Sequence, residues 1–248
     1  MRASILVLAC AAVIATATPV RAQSSSPRGF VSINAGVQTS TISFDEPTTM
    51  QIYQETATFN TTYKINSGKA YDLGVGVRIA GPIGVGVGVS SFTKSDSASV
   101  TGSIPHPFFY KTPRTISGDT AGLERAEMNT HLDVMAFIPA GGRVTAAVFA
   151  GPTWFSVSQE VVTTVSFTES YPFDTAAFGT AATTKVKKTK VGYNAGVDVT
   201  VRLAKGVGIG ALIRYSRTSV DLGVANASGN TTSDAGGLQA SGGLRLIF

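Results

Sequence analysis

The chain has 248 residues, of which 14% are charged and 27 are glycine, and its formal net charge is +5. Soluble domains usually carry about a quarter charged residues, and the mean hydropathy here is positive, at +0.20. This composition argues against an ordinary soluble domain and indicates a chain partly surrounded by lipid. The modest positive charge gives no sign of a nucleic-acid binder.

The N-terminus has the features of a signal peptide. Arg2 supplies a short positive start, residues 5–14 form an apolar run, and residues 20–22 resemble a cleavage site with small residues. The apolar run is shorter than the ~20 residues that a transmembrane helix requires. We therefore predict that residues 1–22 form a cleaved signal peptide and residues 23–248 a single domain.

Export would leave the mature chain without cysteine. Cys10 is the only cysteine and lies within the predicted signal peptide. We therefore expect neither a disulfide nor thiolate chemistry in the mature protein, and we expect no cofactor.

Strict alternation of apolar and small or polar residues marks the predicted strands. It is clearest in residues 71–89, where two alternating runs flank Gly81-Pro82. This pattern predicts an antiparallel hairpin with one apolar face, because a helix has a period of 3.6. The same pattern predicts eight strands in chain order, near 29–38, 71–79, 83–89, 131–138, 144–154, 191–202, 207–215 and 238–248.

The connections alternate in length. Tight turns at 81–82, 139–143 and 204–206 alternate with polar stretches, which the sequence predicts to be loops at 41–67, 95–125, 161–184 and 222–234. An even strand number with short turns at one end and long loops at the other is typical of an outer-membrane barrel. The predicted fold class is all-β, an eight-stranded antiparallel up-and-down transmembrane β-barrel.

Alternation does not reveal which face points outward, and a soluble lipocalin-like barrel would place the apolar face inside. Three features favour a membrane barrel. The aromatic residues Tyr71, Trp154, Tyr193 and Tyr215 lie about 9 residues from the tight turns on the apolar face, as an interfacial belt would. Glycines at 74, 76, 84, 86 and 88 leave room inside a narrow lumen for Met135, Phe137, Phe149 and Phe155. The last strand ends in an alternating segment with the terminal aromatic Phe248.

With its signal peptide, eight strands and terminal Phe248, the chain resembles the small OmpA-, OmpX- and OmpW-like outer-membrane barrels. The resemblance covers essentially the whole mature chain and specifies fold better than function. It implies a monomer in the cell outer membrane with both termini in the periplasm.

The inward face carries opposite charges, which we expect to form ion pairs because unpaired buried charges are costly. The predicted lumen network contains Asp72, Arg78, His131, Asp133, Asp198, Arg202, Arg214 and Arg245. It would either close and rigidify the lumen or line a narrow ion path. The narrow interior of an eight-stranded barrel favours closure.

Catalysis finds little support in the sequence. His131 and Asp133 share a face, and lipid A-modifying barrel enzymes use His, Ser and carboxylate groups. These two residues are predicted to face the lumen, and no His-x-Ser pair is present. Two histidines without ligand spacing do not predict a metal site. We expect a protein that is not an enzyme.

Two surface features are candidates for partner contact. One is a lysine cluster near the outer end of the sixth predicted strand, formed by Lys185, Lys187, Lys188 and Lys190. It is either a solvated extension of the sheet or a contact for lipopolysaccharide phosphates. The other is the run Phe108, Phe109 and Tyr110, which either packs over the barrel mouth or anchors a partner.

The sequence thus favours a structural or surface-interaction role, through envelope integrity or loop-mediated contact with a surface partner. The alternative is a narrow channel for small or apolar solutes, and a lipid-modifying barrel enzyme ranks third.

Overall fold

The computed structural model describes residues 28–39, 42–222 and 232–248, so the predicted signal peptide lies outside the described residues. Within these ranges no helix is long and apolar enough to cross a membrane. The described residues form ten strands. They are β1 (Gly29–Gln38), β2 (Ile42–Ile52), β3 (Glu55–Ile65), β4 (Gly68–Ala80), β5 (Ile83–Ile104), β6 (Arg114–Pro139), β7 (Val144–Glu169), β8 (Ala176–Ala204), β9 (Val207–Asp221) and β10 (Thr232–Ile247).

Eight of these described strands close into a ring. The strands lie in the order β2-β3-β5-β4-β1-β10-β9-β8-β7-β6, and β5 also pairs with β6. All the pairings are antiparallel, from β1 with β10 through β8 with β9. Around the ring the strands follow chain order. The β2–β3 hairpin lies between β1 and β4 in the sequence but is not part of the ring. The predicted eight-stranded antiparallel barrel is confirmed.

The predicted loops were largely wrong, because most of their residues extend the strands. The stretch 41–67 contains β2 and β3, and 95–125 is divided between β5 and β6 around a short loop at 105–113. The stretch 161–184 likewise continues β7 and β8. In the strand segments farther from the tight turns, Ser and Thr replace the apolar residues on the outward face. The alternation of apolar and polar residues is therefore weaker there, although many inward residues are still apolar. The fourth predicted loop lies partly outside the described residues, and β10 begins within it at Thr232.

These extensions build a second structure, here called the cap, on the end of the barrel opposite the tight turns. Residues Thr58–Tyr63 of β3 pair with Ala98–Ser103 of β5, so the β2–β3 hairpin continues the wall. Two clusters of buried apolar side chains fill the cap. The inner cluster includes Phe44, Tyr63, Phe92, Leu123, Phe155, Val157 and Leu222, and the outer cluster includes Phe59, Val100, Ile104, Ile116, Val162 and Val165.

The apolar face of the barrel points outward, as predicted. Tyr71, Trp154, Tyr193 and Tyr215 are all exposed on that face. Tyr193 pairs with Pro152, two residues from Trp154, and with Arg217, two residues from Tyr215. Three of the four aromatic side chains therefore form a continuous belt across neighbouring strands.

Glycines accommodate large side chains in the lumen, with two of the four partners differing from the prediction. A Cβ atom at Gly84 would lie 2.6 Å from the Phe137 ring, and one at Gly86 would lie 2.8 Å from the Met135 sulfur. Phe149 instead packs on Gly196 of β8, and Phe155, which belongs to the inner cluster of the cap, packs on Gly192 of β8. The apolar layer nearest the tight turns contains Phe30, Met135, Phe137, Ala147, Phe149 and Leu212.

Candidate functional site

The inward face of β6 shows how the interior is organised. Its inward residues, from the tight-turn end to the cap, are Phe137, Met135, Asp133, His131, Asn129, Glu127 and Arg125, all buried. An apolar layer is thus followed by two polar layers before the apolar interior of the cap begins. We therefore describe the candidate site as the lumen together with the cap that covers it.

Two ion pairs form the lower polar layer. Arg214 Nη1 lies 2.5 Å from Asp72 Oδ2, and Arg245 Nη2 lies 2.5 Å from Asp198 Oδ2. Asn34 joins the pairs, because it donates to Asp72 at 2.9 Å and accepts from Arg245 at 2.5 Å. Four of the predicted lumen residues therefore share one hydrogen-bonded network that spans β1, β4, β8, β9 and β10.

Arg78 and Arg202 lie outside this network. The Arg78 guanidinium lies 5.0 Å from the centroid of the Phe137 ring. Arg202 lines a cavity at the tight-turn end together with Arg143. Within the described part of the chain neither arginine forms an ion pair, so their grouping with the lumen carboxylates was not correct in detail.

His131 lies in a chain of buried hydrogen bonds. Its Nε2 atom is 2.9 Å from Ser90 Oγ, and its Nδ1 atom is 2.9 Å from Thr153 Oγ1. Asn194 donates to Thr153 at 3.0 Å and to Asp133 at 2.8 Å. The Ser90–His131 contact has the geometry of a nucleophile and a base, but His131 is completely buried and Ser90 nearly so. The pair therefore lies inside the barrel.

The upper polar layer was missed by the sequence analysis. Arg125 and Glu127 are completely shielded from solvent and form an ion pair of 2.8 Å. Arg125 also donates to Ser233 Oγ at 3.1 Å and to the Asp234 carbonyl at 2.7 Å. The Gly236 N–H donates to Glu127 at 3.0 Å. These contacts cross the interior from β6 to β10, which lies directly opposite in the ring.

Two small cavities lie in the lumen. One, of about 30 Å³, lies among Asp72, Asp198 and Arg214, next to Met135 and Phe149. The other, of about 20 Å³, lies near the tight turns beside Phe30 and Phe137. Each has room for about one or two water molecules.

At the outer end of the cap, Arg114 connects several loops. Its guanidinium pairs with Glu169 of β7 at 2.6 Å and donates to the carbonyls of Pro105 at 2.8 Å and Phe173 at 2.9 Å. The Tyr53 hydroxyl, in the β2–β3 turn, donates to the same Glu169 carboxylate. The ends of the hairpin, of β5–β6 and of β7–β8 are thereby held together.

A second buried contact lies deeper in the cap. The Tyr63 hydroxyl donates to Glu46 at 3.0 Å and accepts from the Val162 N–H at 2.7 Å. Burial raises the pKa of Glu46 above its ordinary value of 4.5, more than the Tyr63 hydrogen bond lowers it. Burial also raises the pKa of Tyr63. This contact docks the hairpin against β7.

The aromatic run in the 105–113 loop does not pack over the barrel. Phe108, Phe109 and Tyr110 are 71%, 60% and 72% exposed at the far end of the cap. The ring of buried His106 organises this loop, because its Nδ1 atom accepts the N–H groups of Phe108 and Phe109 at 3.1 Å each. Packing over the barrel mouth is therefore not observed, and contact with a partner stays a prediction.

The four lysines do not form one patch. Along β8, Lys185 and Lys187 share the outward face of Val191 and Tyr193, while Lys188 and Lys190 share the opposite face with Val186. Lys185 Nζ lies 3.3 Å from Glu124, and both side chains are well exposed. The predicted single cluster of four lysines is therefore not observed. Contact with phosphate stays a prediction for Lys185 and Lys187, which share the outward face. Among the described residues no group of three or more His, Cys, Asp or Glu side chains could hold a metal ion.

The closed ring, the outward apolar belt and the filled lumen define a transmembrane β-barrel of the outer-membrane type. The outer membrane protease OmpT from Escherichia coli superposes with a TM-score of 0.51 at 10% identity, over 92% of this chain and 99% of that chain. OprG from Pseudomonas aeruginosa gives 0.45 at 10% identity over 90% and 98%. Neisserial surface protein A gives 0.41 at 12% identity over 89% and 97%.

The likeness to OmpT establishes the fold alone, and the expected resemblance to outer-membrane barrels is confirmed at that level. No protein-family model and no curated protein matches the sequence.

Proposed function

We propose that this protein is a sealed outer-membrane barrel with a structural and surface-interaction role that it exerts through its cap. Residues 1–22 direct export and residues 23–248 form the barrel domain. The tight turns and both termini face the periplasm, and the cap faces the cell exterior. The shortness of the turns at one end and the length of the strands at the other support this orientation.

The filled lumen carries the proposal. An apolar layer, an ion-pair network and the Arg125–Glu127 pair follow one another along the lumen, and the cap covers its outer end. A channel requires a continuous wet path, whereas the two cavities described above hold only a few water molecules. A channel for small or apolar solutes is therefore the less favoured function.

The enzymatic alternative is also less favoured. Ser90 and His131 have suitable geometry but lie inside the wall, where neither a lipid nor a peptide reaches them. We propose that this chain has no catalytic activity and that the pair belongs to the structural network of the lumen.

Contact with lipopolysaccharide involves Lys185 and Lys187 in this proposal, because they face outward above the aromatic belt on β8. Replacing both by Gln, with Lys188→Gln and Lys190→Gln as the matched control on the opposite face, separates the two faces. We expect only the outward pair to lower lipopolysaccharide binding. Equal effects of both variants would contradict a specific contact of Lys185 and Lys187 with lipopolysaccharide.

Planar-bilayer recording tests the sealed barrel. The mature chain is refolded, its fold is checked by the heat-dependent shift in gel mobility, and its conductance is recorded as a monomer. We expect a silent membrane. A Met135→Gly, Phe137→Gly, Phe149→Gly variant loses most of the apolar layer but keeps the ion-pair layers and the cap, so it should stay silent as well. Steady discrete openings of the wild-type protein would favour the channel instead.

A further inference from the structure

Two loops bring four exposed aromatic side chains together at the far end of the cap. Phe108, Phe109 and Tyr110 lie in the 105–113 loop, and Tyr171, which is 86% exposed, lies in the 170–175 loop. Phe173 connects them, because its ring centroid lies 5.5 Å from that of Phe108 and 6.1 Å from that of Tyr171. We call the four exposed side chains the aromatic tip.

The loops that carry the aromatic tip are held in place from below. His106 accepts two backbone N–H groups of the first loop, and Arg114 donates to the Pro105 and Phe173 carbonyls on either side. The Lys111 N–H donates to the Glu55 carboxylate at 3.1 Å. Side chains of the cap thus hold the backbone of both loops. A preorganised apolar surface binds with a smaller entropy cost than a flexible loop.

The aromatic tip is too far from the barrel's own bilayer to belong to its interfacial belt. The segment of β7 from Trp154 to Glu169 spans about 50 Å at about 3.3 Å per residue. With strands tilted by ~40°, that length places the tip well beyond the headgroups that surround Trp154. Its exposure therefore calls for another partner.

Area and shape favour a bilayer over a protein as that partner. Taking about 200 Å² for each aromatic side chain, the four exposed fractions leave about 600 Å² of aromatic surface in solvent. This is less than the ~800 Å² that each partner buries in a stable protein interface. The tip is also a protrusion made by two loops, a shape that suits shallow insertion.

The chemistry of the tip is that of a membrane–water interface. Phenylalanine rings bury apolar surface, and tyrosine rings keep the hydroxyl among the headgroups. Lys111 lies 5.5 Å from the centroid of the Tyr110 ring, where its ammonium group can meet a lipid phosphate. Asp174 is exposed in the second loop, so the two charges offset each other and apolar contact dominates.

We propose that the aromatic tip inserts into the headgroup region of a second lipid bilayer that faces the outer membrane. The proposal rests on the surface-interaction role described above and on the cap facing outward, and it assigns the partner of that role. The partner is the lipid itself rather than a protein or a glycan carried by it.

Flotation with vesicles tests the proposal. Wild-type protein in nanodiscs is mixed with phosphatidylcholine vesicles and centrifuged through a density gradient, with empty nanodiscs as background. We expect the wild-type discs to float with the vesicles, at both low and high salt. The variant Phe108→Ser, Phe109→Ser, Tyr110→Ser, Tyr171→Ser should fall to the background level. The control Lys188→Gln, Lys190→Gln, altered at exposed positions of β8 away from the tip, should float like the wild type.

The four serine substitutions affect exposed side chains, and the heat-dependent gel shift verifies that the variant is folded. Equal flotation of this variant and the wild type would overturn the proposal, as would wild-type discs that stay at background. Association of the discs with one another in the absence of vesicles, together with no flotation, would also overturn the proposal. It would show that the aromatic tip contacts protein instead of lipid. None of these outcomes affects the conductance recording, so the sealed barrel is tested separately.

Discussion

Arg125 and Glu127 lie two residues apart on β6, are both completely buried, and together cross the barrel to the Ser233–Gly236 segment of β10. The pair joins opposite walls at the level where the ring becomes the cap. An ion pair that is removed from water in this way is sensitive to loss of either partner, because the remaining charge is left uncompensated.

The first prediction concerns this pair. Glu127→Gln should lower the free energy of unfolding by about 3–5 kcal/mol, because Arg125 keeps its charge without a carboxylate. Urea midpoints of the refolded protein in micelles, followed by tryptophan fluorescence, measure the loss. Glu124→Gln is the control, because its pair with Lys185 is exposed and should contribute less than about 1 kcal/mol. Similar losses in the two variants would contradict the assigned role.

A second prediction concerns the fill of the lumen. A Cβ atom at Gly84 would lie 2.3 Å from the Val77 carbonyl and 2.6 Å from the Phe137 ring. Gly84→Ala should therefore cost about 1–3 kcal/mol through overpacking and lower the refolded fraction seen on gels. Gly142→Ala is the matched control, because no atom lies within 4 Å of its Cβ position. If Gly84→Ala refolds as well as Gly142→Ala, the lumen is less tightly packed than described.

The third prediction concerns the height of the lipid. Trp154 is the only tryptophan in the sequence and lies on the outward face within the aromatic belt. Its fluorescence should be quenched by lipids brominated near the headgroup, and more weakly by lipids brominated near the chain ends. If quenching is strongest with lipids brominated near the chain ends, the aromatic belt lies near the bilayer centre and not at the headgroups. If no lipid quenches Trp154, its side chain does not face the lipid.

The fourth prediction concerns pH and the docking of the hairpin. Because burial raises the pKa of Glu46 above 4.5, the folded cap binds this proton more tightly than the opened cap does. The resulting stability is fully present below pH 4.5 and is lost as the pH rises through the raised pKa. Glu46→Gln can still accept from Tyr63 but does not ionise. The difference in urea midpoint between this variant and the wild type should therefore grow in the variant's favour with pH. A constant difference would show that Glu46 is not buried in the folded cap.

The barrel was predictable because apolar and small or polar residues alternate strictly in strands that have lipid on one face and the lumen on the other. Between Tyr71 and Val89 every outward residue is apolar and most inward residues are glycine, so the period-2 pattern identifies both strands and their faces. Asp72, Asp198, Arg214 and Arg245 stand at inward positions of the same pattern, and all four are buried. Their particular partners could not be predicted, because register between distant strands determines which charges meet.

The cap was missed because its outer face is solvated. Thr, Ser and Asn on that face resemble loop residues, although Phe59, Val100 and Ile116 keep the inward alternation. Arg125 and Glu127 continue the inward positions of His131 and Asp133 along β6, so extending the alternation past His131 would have identified them. No local signal shows that Arg114, Tyr53 and Glu169 meet, because they come from three separate connections.

The central claim is that the long-strand end is one folded cap in the free protein, and amide hydrogen exchange measures this most directly. We expect the paired segments 98–104 of β5 and 114–120 of β6 to exchange as slowly as the barrel strands, since their ladder is continuous apart from one bulge. Exchange of these amides at the rate of an unstructured chain, with the barrel still protected, would contradict the folded cap and support the polar loops that the sequence predicted.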